Sequence, residues 1–395
     1  MGPTGSQKFA VFLCKFSDNS NVEPFTPDFY RQLIAERGTG GLNDYWIAAS
    51  QSAINLDGSD IFGWRTIQQK QADFLAARPG RWDKILGAMA AFSEVDTSKY
   101  AGVIAMYNTD VGDGGNANNG VLASPTGMSV TFLGHETGHV VGLEHSFDQS
   151  TRKDVTWSAP GEYYDMYDIM SAMNIYSTYD SRFQQKGPLL CAANLDRMGW
   201  LDSSRVWSGQ SANSSWSDVF DLVSMSHPEI PGFLAARIGG LYIEFRTQEL
   251  WDTAIPRAGV LLHVVSDPNA IIIASDLTNY VDDWQPGQVY GPPDLSMAIN
   301  GGTQVRILSF DLNAKNARIS VRFAARRPIV VGPGQVLGGV GSDGGGWLIL
   351  NGRVIPIPPR SPVMSLAEAM ANYVNAELNL GGLAAGLGLG GFSGR

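Results

Sequence analysis

The sequence predicts an α/β (α+β) layered domain followed by an all-β, sandwich-like module. Three observations carry this reading. Over residues 1–204, short and continuously apolar runs alternate with segments of helical period. Beyond Trp200 the period changes to two, with turn residues between most of the runs. The motif HETGHVVGLEH at 135–145 lies on a segment of helical pattern.

Taken in order, KFAVFLCKF (8–16) reads as a buried first strand. Residues 27–37 and 42–50 read as helices, parted by a glycine turn at 38–41. INLDGSDIFGW suggests a strand and turn, 66–78 and 81–94 carry helical spacing, and AGVIAMY (101–107) is another apolar strand. DVGDGGNANNGVLAS (110–124) is a long polar loop running into a short strand. Its Asp110, Asp113 and Asn116 are candidate calcium ligands, against the plainer reading of a Gly-rich turn. The motif helix covers 129–142, an irregular stretch follows, and a last helix lies near 187–199. VFDLVSM, LYIEF, VLLHVV, AIIIAS, VRILSF and ARISVRF build the β module over 205–325. The extension 326–395 holds a small hairpin in VLGGVGSDGGGWLILNGRVIPIPP, a helix at 365–378 capped by Ser365 and Glu368, and a Gly-rich tail.

Composition sets limits. A chain of 395 residues suggests two or three domains, since single cores stop growing beyond roughly 250–300 residues. Apolar residues reach 44%, enough for real cores, while 46 Gly and 20 Pro predict many turns. With a net charge of -10 and no dense Lys/Arg run, nucleic acid is excluded as the expected partner. No apolar stretch reaches the roughly 20 residues of a membrane span. MGPTGSQKFAVFLCKF lacks the pattern of a signal peptide. Its Gly2 and Ser6 fit a loose myristoylation pattern that recurs by chance. Two cysteines are too few for a disulfide scaffold; Cys14 and Cys191 read as buried free thiols, with a single disulfide as the alternative.

The motif carries the chemistry. His135 and His139 are four apart, so on a helix they share one face and reach one ion at about 2.0–2.1 Å. Gly142 adopts a positive φ without steric cost, which ends the helix and swings His145 back to the same ion. Three histidines leave a fourth position for water, the mark of a catalytic zinc site. Zinc lowers the pKa of that water from about 15.7 toward 7, and Glu136 is placed to act as general base and then acid. HExxH alone is a weak pattern, but the full spacing takes three of the chain's five histidines. The other two, His227 and His263, lie in the β module without ligand spacing; His263 in LLHVV reads as a satisfied strand histidine.

HETGHVVGLEH resembles the metzincin signature. The resemblance implies a mixed sheet, a zinc-binding active-site helix and a Met-turn downstream. YDIMSAM (167–173) fits that turn, with Met170 first and Met173 second. Residues 8–325 resemble the immune inhibitor A family and its gametolysin-like relatives. LNDYWIAASQSAINLDG with Gly63-Trp64, Asp168-Ile169-Met170-Ser171, Gly199-Trp200-Leu201 and LYIEFRTQELWDTAIPRAGVLLHVV carry this likeness. It implies a secreted, extracellular zinc endopeptidase acting on protein or peptide substrates. Such enzymes carry a leader and an inhibitory pro-segment, neither of which is read here. Cys14 makes a poor cysteine switch because it lies inside the predicted strand. A transition-state oxyanion needs a donor besides zinc. Tyr176, six residues after Met170, is one candidate; Tyr163, Tyr164 and Tyr167 compete. The rival reading is a secreted binding or adhesion protein, with Trp207, Trp216, Trp251 and Trp284 as a carbohydrate face rather than core or interface residues. A zinc hydrolase acting on a non-peptide amide or ester is a third reading. Cleavage preference and oligomeric state are not written in the sequence.

Overall fold

A strand that is buried on both faces calls for a near-continuous apolar run, and Phe9–Phe16 (β1) supplies one at every position but Lys15. Phe9, Val11 and Leu13 face one core, which also holds residues of helices α1 (Pro27–Ile34), α2 (Leu42–Ala49), α5 (Val130–Val140) and α6 (Ala192–Met198). Ala10, Phe12, Cys14 and Phe16 face the other, with residues of α3 (Gln71–Ala77) and α4 (Arg81–Ala91). The computed structural model describes residues 1–112, 114–209, 214–292, 295 and 302–325, and the backbone of three strands between 336 and 357.

Around β1 lies a five-stranded sheet. It adds β2 (Asp60–Ile67), β3 (Gly102–Tyr107), β4 (Gly115–Ala117) and β5 (Gly120–Ala123) in the order β2-β1-β3-β5-β4. All neighbours are parallel except β4, which runs antiparallel to β5 at the edge. The architecture is therefore mixed α/β, with helices on both faces of this sheet.

Two helices begin later than their sequence pattern suggests. The one expected over 66–78 starts at Gln71, because Thr66 and Ile67 still pair with Lys15 and Phe16 in the sheet. The one expected near 187–199 starts at Ala192. Upstream, the Leu189 and Cys191 N–H groups donate to the buried carboxylates of Asp252 (3.1 Å) and Asp168 (2.7 Å).

Residues 206–324 form two further sheets. One has the order β6-β8-β9-β10-β11, made of Val206–Ser208, Ala235–Ile238, Leu241–Arg246, Gly259–Ser266 and Asn269–Ile272. The other has the order β7-β14-β13-β12, made of Trp216–Val223, Asn316–Ala324, Gly302–Asp311 and Val289–Tyr290. They share a core that includes Ile243, Phe245, Val260 and Leu262 on one side and Leu222, Val305, Ile319 and Val321 on the other. Trp207 and Trp284 belong to it, Trp216 stacks on Phe323, and Trp251 packs edge-on against Tyr45. All four tryptophans weighed as a carbohydrate face are thus engaged in packing, in line with the core-and-interface reading of them. Cys14 and Cys191 are free and buried, and burial pushes both thiols up.

The outer face of the five-stranded β6–β11 sheet is also covered. Ala235, Tyr242 and Ala270 join the core around α5 and α6. Between them, the fully buried Arg246 bonds Glu244 (2.8 Å), Asp252 (2.9 Å) and the Leu190 carbonyl (2.7 Å). Met1–Ala325 accordingly forms one compact unit, and the change of pattern near 205 falls inside it. Arg326–Arg395 forms a second unit, where Val336–Val340, Gly346–Leu350 and Arg353–Ile357 make a three-stranded antiparallel sheet. The helix expected at 365–378 lies outside the described residues. Among the described residues, no helix is long and apolar enough to cross a membrane.

Removing Arg246 strands two buried carboxylates. Arg246→Ala is expected to destabilise the protein by about 3–5 kcal/mol, read from urea unfolding at pH 7. Unchanged stability would mean that the network is not held as described.

Candidate metal centre

Helix α5 is capped at both ends by its own sequence. Ser129 Oγ accepts the Phe132 N–H at 3.0 Å. At the other end, Leu143 N–H donates to Gly138 O (2.9 Å) and Gly142 N–H to His139 O (3.0 Å), with Gly142 at φ 98°. This is a Schellman closure, and the left-handed step suits glycine. It turns the chain so that His145 returns to the helix face bearing His135 and His139. The ligand atoms of the three rings lie within 4.8 Å of one another, and His135 Nε2 and His139 Nε2 are 3.0 Å apart.

Each Nδ1 has an acceptor: Ile169 O for His135 (3.0 Å), Leu143 O for His139 (2.9 Å) and Glu162 Oε1 for His145 (2.6 Å). These acceptors place the ring proton on Nδ1, so three bare Nε2 lone pairs converge. Burial first, and the neighbouring imidazoles second, hold His135 and His139 below the usual histidine pKa. Facing lone pairs repel unless a cation lies between them. Bonds of about 2.0–2.1 Å at a tetrahedral angle separate ligand atoms by about 3.3 Å, close to the 3.0 Å between His135 and His139, and with the third ring within 4.8 Å the donor set fits one metal ion.

Met170 packs against the helix that bears two of the histidines. It is fully buried, and a Cβ added at Gly138 would lie 2.7 Å from its Sδ, so the turn approaches the helix where a side chain is missing. Asp168 fixes this turn: one oxygen accepts Met170 N–H (2.7 Å), the other Cys191 N–H (2.7 Å) and Asn194 Nδ2 (3.0 Å). Glu136, half-buried beside the histidines, accepts Asn116 N–H from the edge strand at 2.6 Å.

Of the competing tyrosines, the structure brings Tyr163 to the centre. Its ring lies 4.4 Å from that of His145. Burial, Glu162 and Glu136 push its hydroxyl up to about 12. Tyr176 instead packs on Tyr167, 5.1 Å between rings, in a separate cluster with Ile255 and Leu261. Tyr164 stacks under the Arg152 guanidinium, and Tyr167 bonds Asp283. In the loop read for calcium, Asp110 accepts Gly112 N–H and Asn116 Nδ2 donates to Asn118 O, so the two turn to their own local partners; Asp113 lies outside the described residues.

His263 lies in a strand as expected, but its partner is distant: fully buried, it meets Asp165 Oδ2 at 3.0 Å near Cys191, while among the described residues its Nδ1 has no partner. This pairing joins residues 98 apart, which spacing does not reveal. Glu162 and Asp165 were also missed, because 146–166 has no readable template, and Asp168 was read only as part of the turn sequence, without its anchoring role. Their signal is an acidic residue at every third position over 162–168, in a segment otherwise rich in tyrosine.

No family model matches the chain, and no curated protein is significantly similar to it.

Two outcomes follow from the acidic surroundings. Glu162→Gln keeps an acceptor for His145 and removes its charge. It is expected to weaken zinc affinity about 10–100-fold, read by competition with a chromophoric chelator. Asp282 is 4% exposed, and burial with the charges of Asp165 and Asp148 pushes its carboxyl up to about 7. A raised pKa favours folding while the group is protonated, and that contribution is lost as pH rises through 7. Asp282→Asn is therefore expected to be about 1–2 kcal/mol more stable than the wild type at pH 8, with the gap narrowing by pH 5 in urea melts.

Proposed function

We propose that this chain is a zinc-dependent metalloendopeptidase that hydrolyses peptide bonds in protein substrates. The observation that carries the reading is the convergence of three tautomer-fixed imidazoles beside a carboxylate held by a backbone N–H. Four parallel strands with an antiparallel edge strand, the α5 ligands and the buried Met170 support a metzincin-like fold. Two facing sheets over 206–324 support the reading of a sandwich-like second domain. Secretion is proposed on the sequence resemblance alone.

When bound, zinc polarises the scissile carbonyl and makes a water acidic enough to attack near neutral pH. The remaining work falls to the protein. Glu136 accepts the proton of the attacking water as its oxygen bonds to the carbonyl carbon. It then delivers that proton to the amide nitrogen as the C–N bond breaks, leaving a carboxylic acid and an amine. The Asn116 N–H keeps the Glu136 carboxylate turned toward this path. The outer edge of Gly115–Ala117 offers backbone groups on which an extended peptide can add as a further strand. The adhesion reading loses support, because Trp207 and Trp284 are buried and the half-buried Trp216 and Trp251 pack on Phe323 and Tyr45.

The test uses the whole protein and its Glu136→Ala variant on unfolded casein, with bound zinc measured on both. Cleavage by the wild type, abolished by chelation and reduced about 10²–10⁴-fold in the variant at equal zinc, is expected. Equal cleavage by the two proteins would remove Glu136 from the mechanism, and zinc without cleavage by the wild type would remove the peptidase reading.

A further inference from the structure

Three features of Tyr163 go beyond packing. Its backbone is left-handed, with φ 68°. Such a conformation is strained for a bulky residue and persists only where the surroundings impose it. They do so here: Tyr163 N–H donates to Ser146 O at 3.2 Å, and Glu162 bridges to Phe147 in antiparallel fashion.

The second feature is convergence. In extended backbone, consecutive side chains point to opposite sides. The left-handed step lets both Glu162 and Tyr163 reach His145, one at Nδ1 and the other against the ring. The strain therefore sits where two neighbours must serve one imidazole.

The third feature is the hydroxyl. Tyr163 is 4% exposed, yet among the described residues nothing pairs with its hydroxyl. A tyrosine buried so deeply normally closes that group on a partner. Tyr45, Tyr107 and Tyr242 do, on Pro188 O, Lys84 O and Asp196. Tyr30 leaves its hydroxyl unpaired but sealed in the core, whereas that of Tyr163 is not sealed.

We propose that Tyr163 is a catalytic residue whose phenolic O–H donates a hydrogen bond to the scissile carbonyl oxygen as negative charge develops there. The inference rests on the peptidase function above. A donor fixed before the reaction strengthens its bond as the charge grows, so it acts on the transition state more than on the bound substrate. No proton changes owner in this step. The Glu136 cycle stays balanced without it.

The experiment compares the zinc-loaded wild type with Tyr163→Phe. A fluorogenic peptide is built on a site mapped in casein, and a phosphinic peptide of the same sequence serves as a tetrahedral, anionic probe. Zinc per chain and the melting temperature are measured on both proteins. The expected result is kcat lowered about 10²-fold with KM within about twofold and zinc unchanged. The phosphinic peptide should bind more weakly by a similar factor, in a calorimetric reading that needs no turnover. A kcat within about threefold of wild type would overturn the proposal, and so would loss of zinc, which would make Tyr163 a support for His145. If the wild type itself cleaves nothing with zinc bound, the peptidase reading fails, a result distinct from failure of Tyr163 alone.

Discussion

One buried carboxylate organises the turn packed against the candidate metal centre. Asp168 is fully enclosed and receives three N–H groups, from Met170, Cys191 and Asn194. A carboxylate so placed is stable only with such donors around it. By meeting them it joins a tight turn to the start of α6. The turn passes through Ala172 at φ 38°, ψ -78°, a strained conformation that needs anchoring on both sides. From it Ile169 O reaches His135, and Met170 O receives Ser146 N–H just after His145. Two of the three imidazoles thus take their position from a turn that Asp168 holds.

Polar groups continue from there into the protein. Glu244, Arg246 and Asp252 lie fully buried between α6 and the sheet of Leu241–Arg246. Asp165 and His263 lie nearby, equally enclosed. A layer of this kind gives less stability than apolar packing of the same volume, but it fixes one relative placement of its elements, because any shift leaves charges unpaired. The histidine positions inherit that definition.

Much of this was legible in the sequence, and the reason is local. Spacing of four on a helix, a glycine at the closing turn and a third histidine beyond it specify a cluster of three imidazoles without tertiary information. Near-continuous apolar runs such as Phe9–Phe16, broken only at Lys15, and Gly102–Tyr107 likewise announce doubly covered strands. What stayed hidden joins residues far apart. His263 with Asp165 spans 98 positions, and the Leu189 and Cys191 N–H groups are claimed by distant carboxylates, which delays α6. Which of the four tyrosines lies against His145 is hidden for a related reason, since one left-handed residue redirects a side chain and no periodicity reports it.

Phe147, two residues beyond His145, bridges the Asn269–Ile272 strand: its N–H donates to Ala270 O and its carbonyl accepts Ile272 N–H, both at 2.9 Å. Asn269 Nδ2 donates to the carbonyl of His145 itself at 2.8 Å. The backbone of the third imidazole is thus registered by a strand more than 120 residues downstream. A fragment ending near 204 would retain every residue of the motif and lose the template that seats one of them. The heritable unit is then the pair of segments together. Recombination that exchanged the later strands for another module would break the earlier site without altering a single ligand.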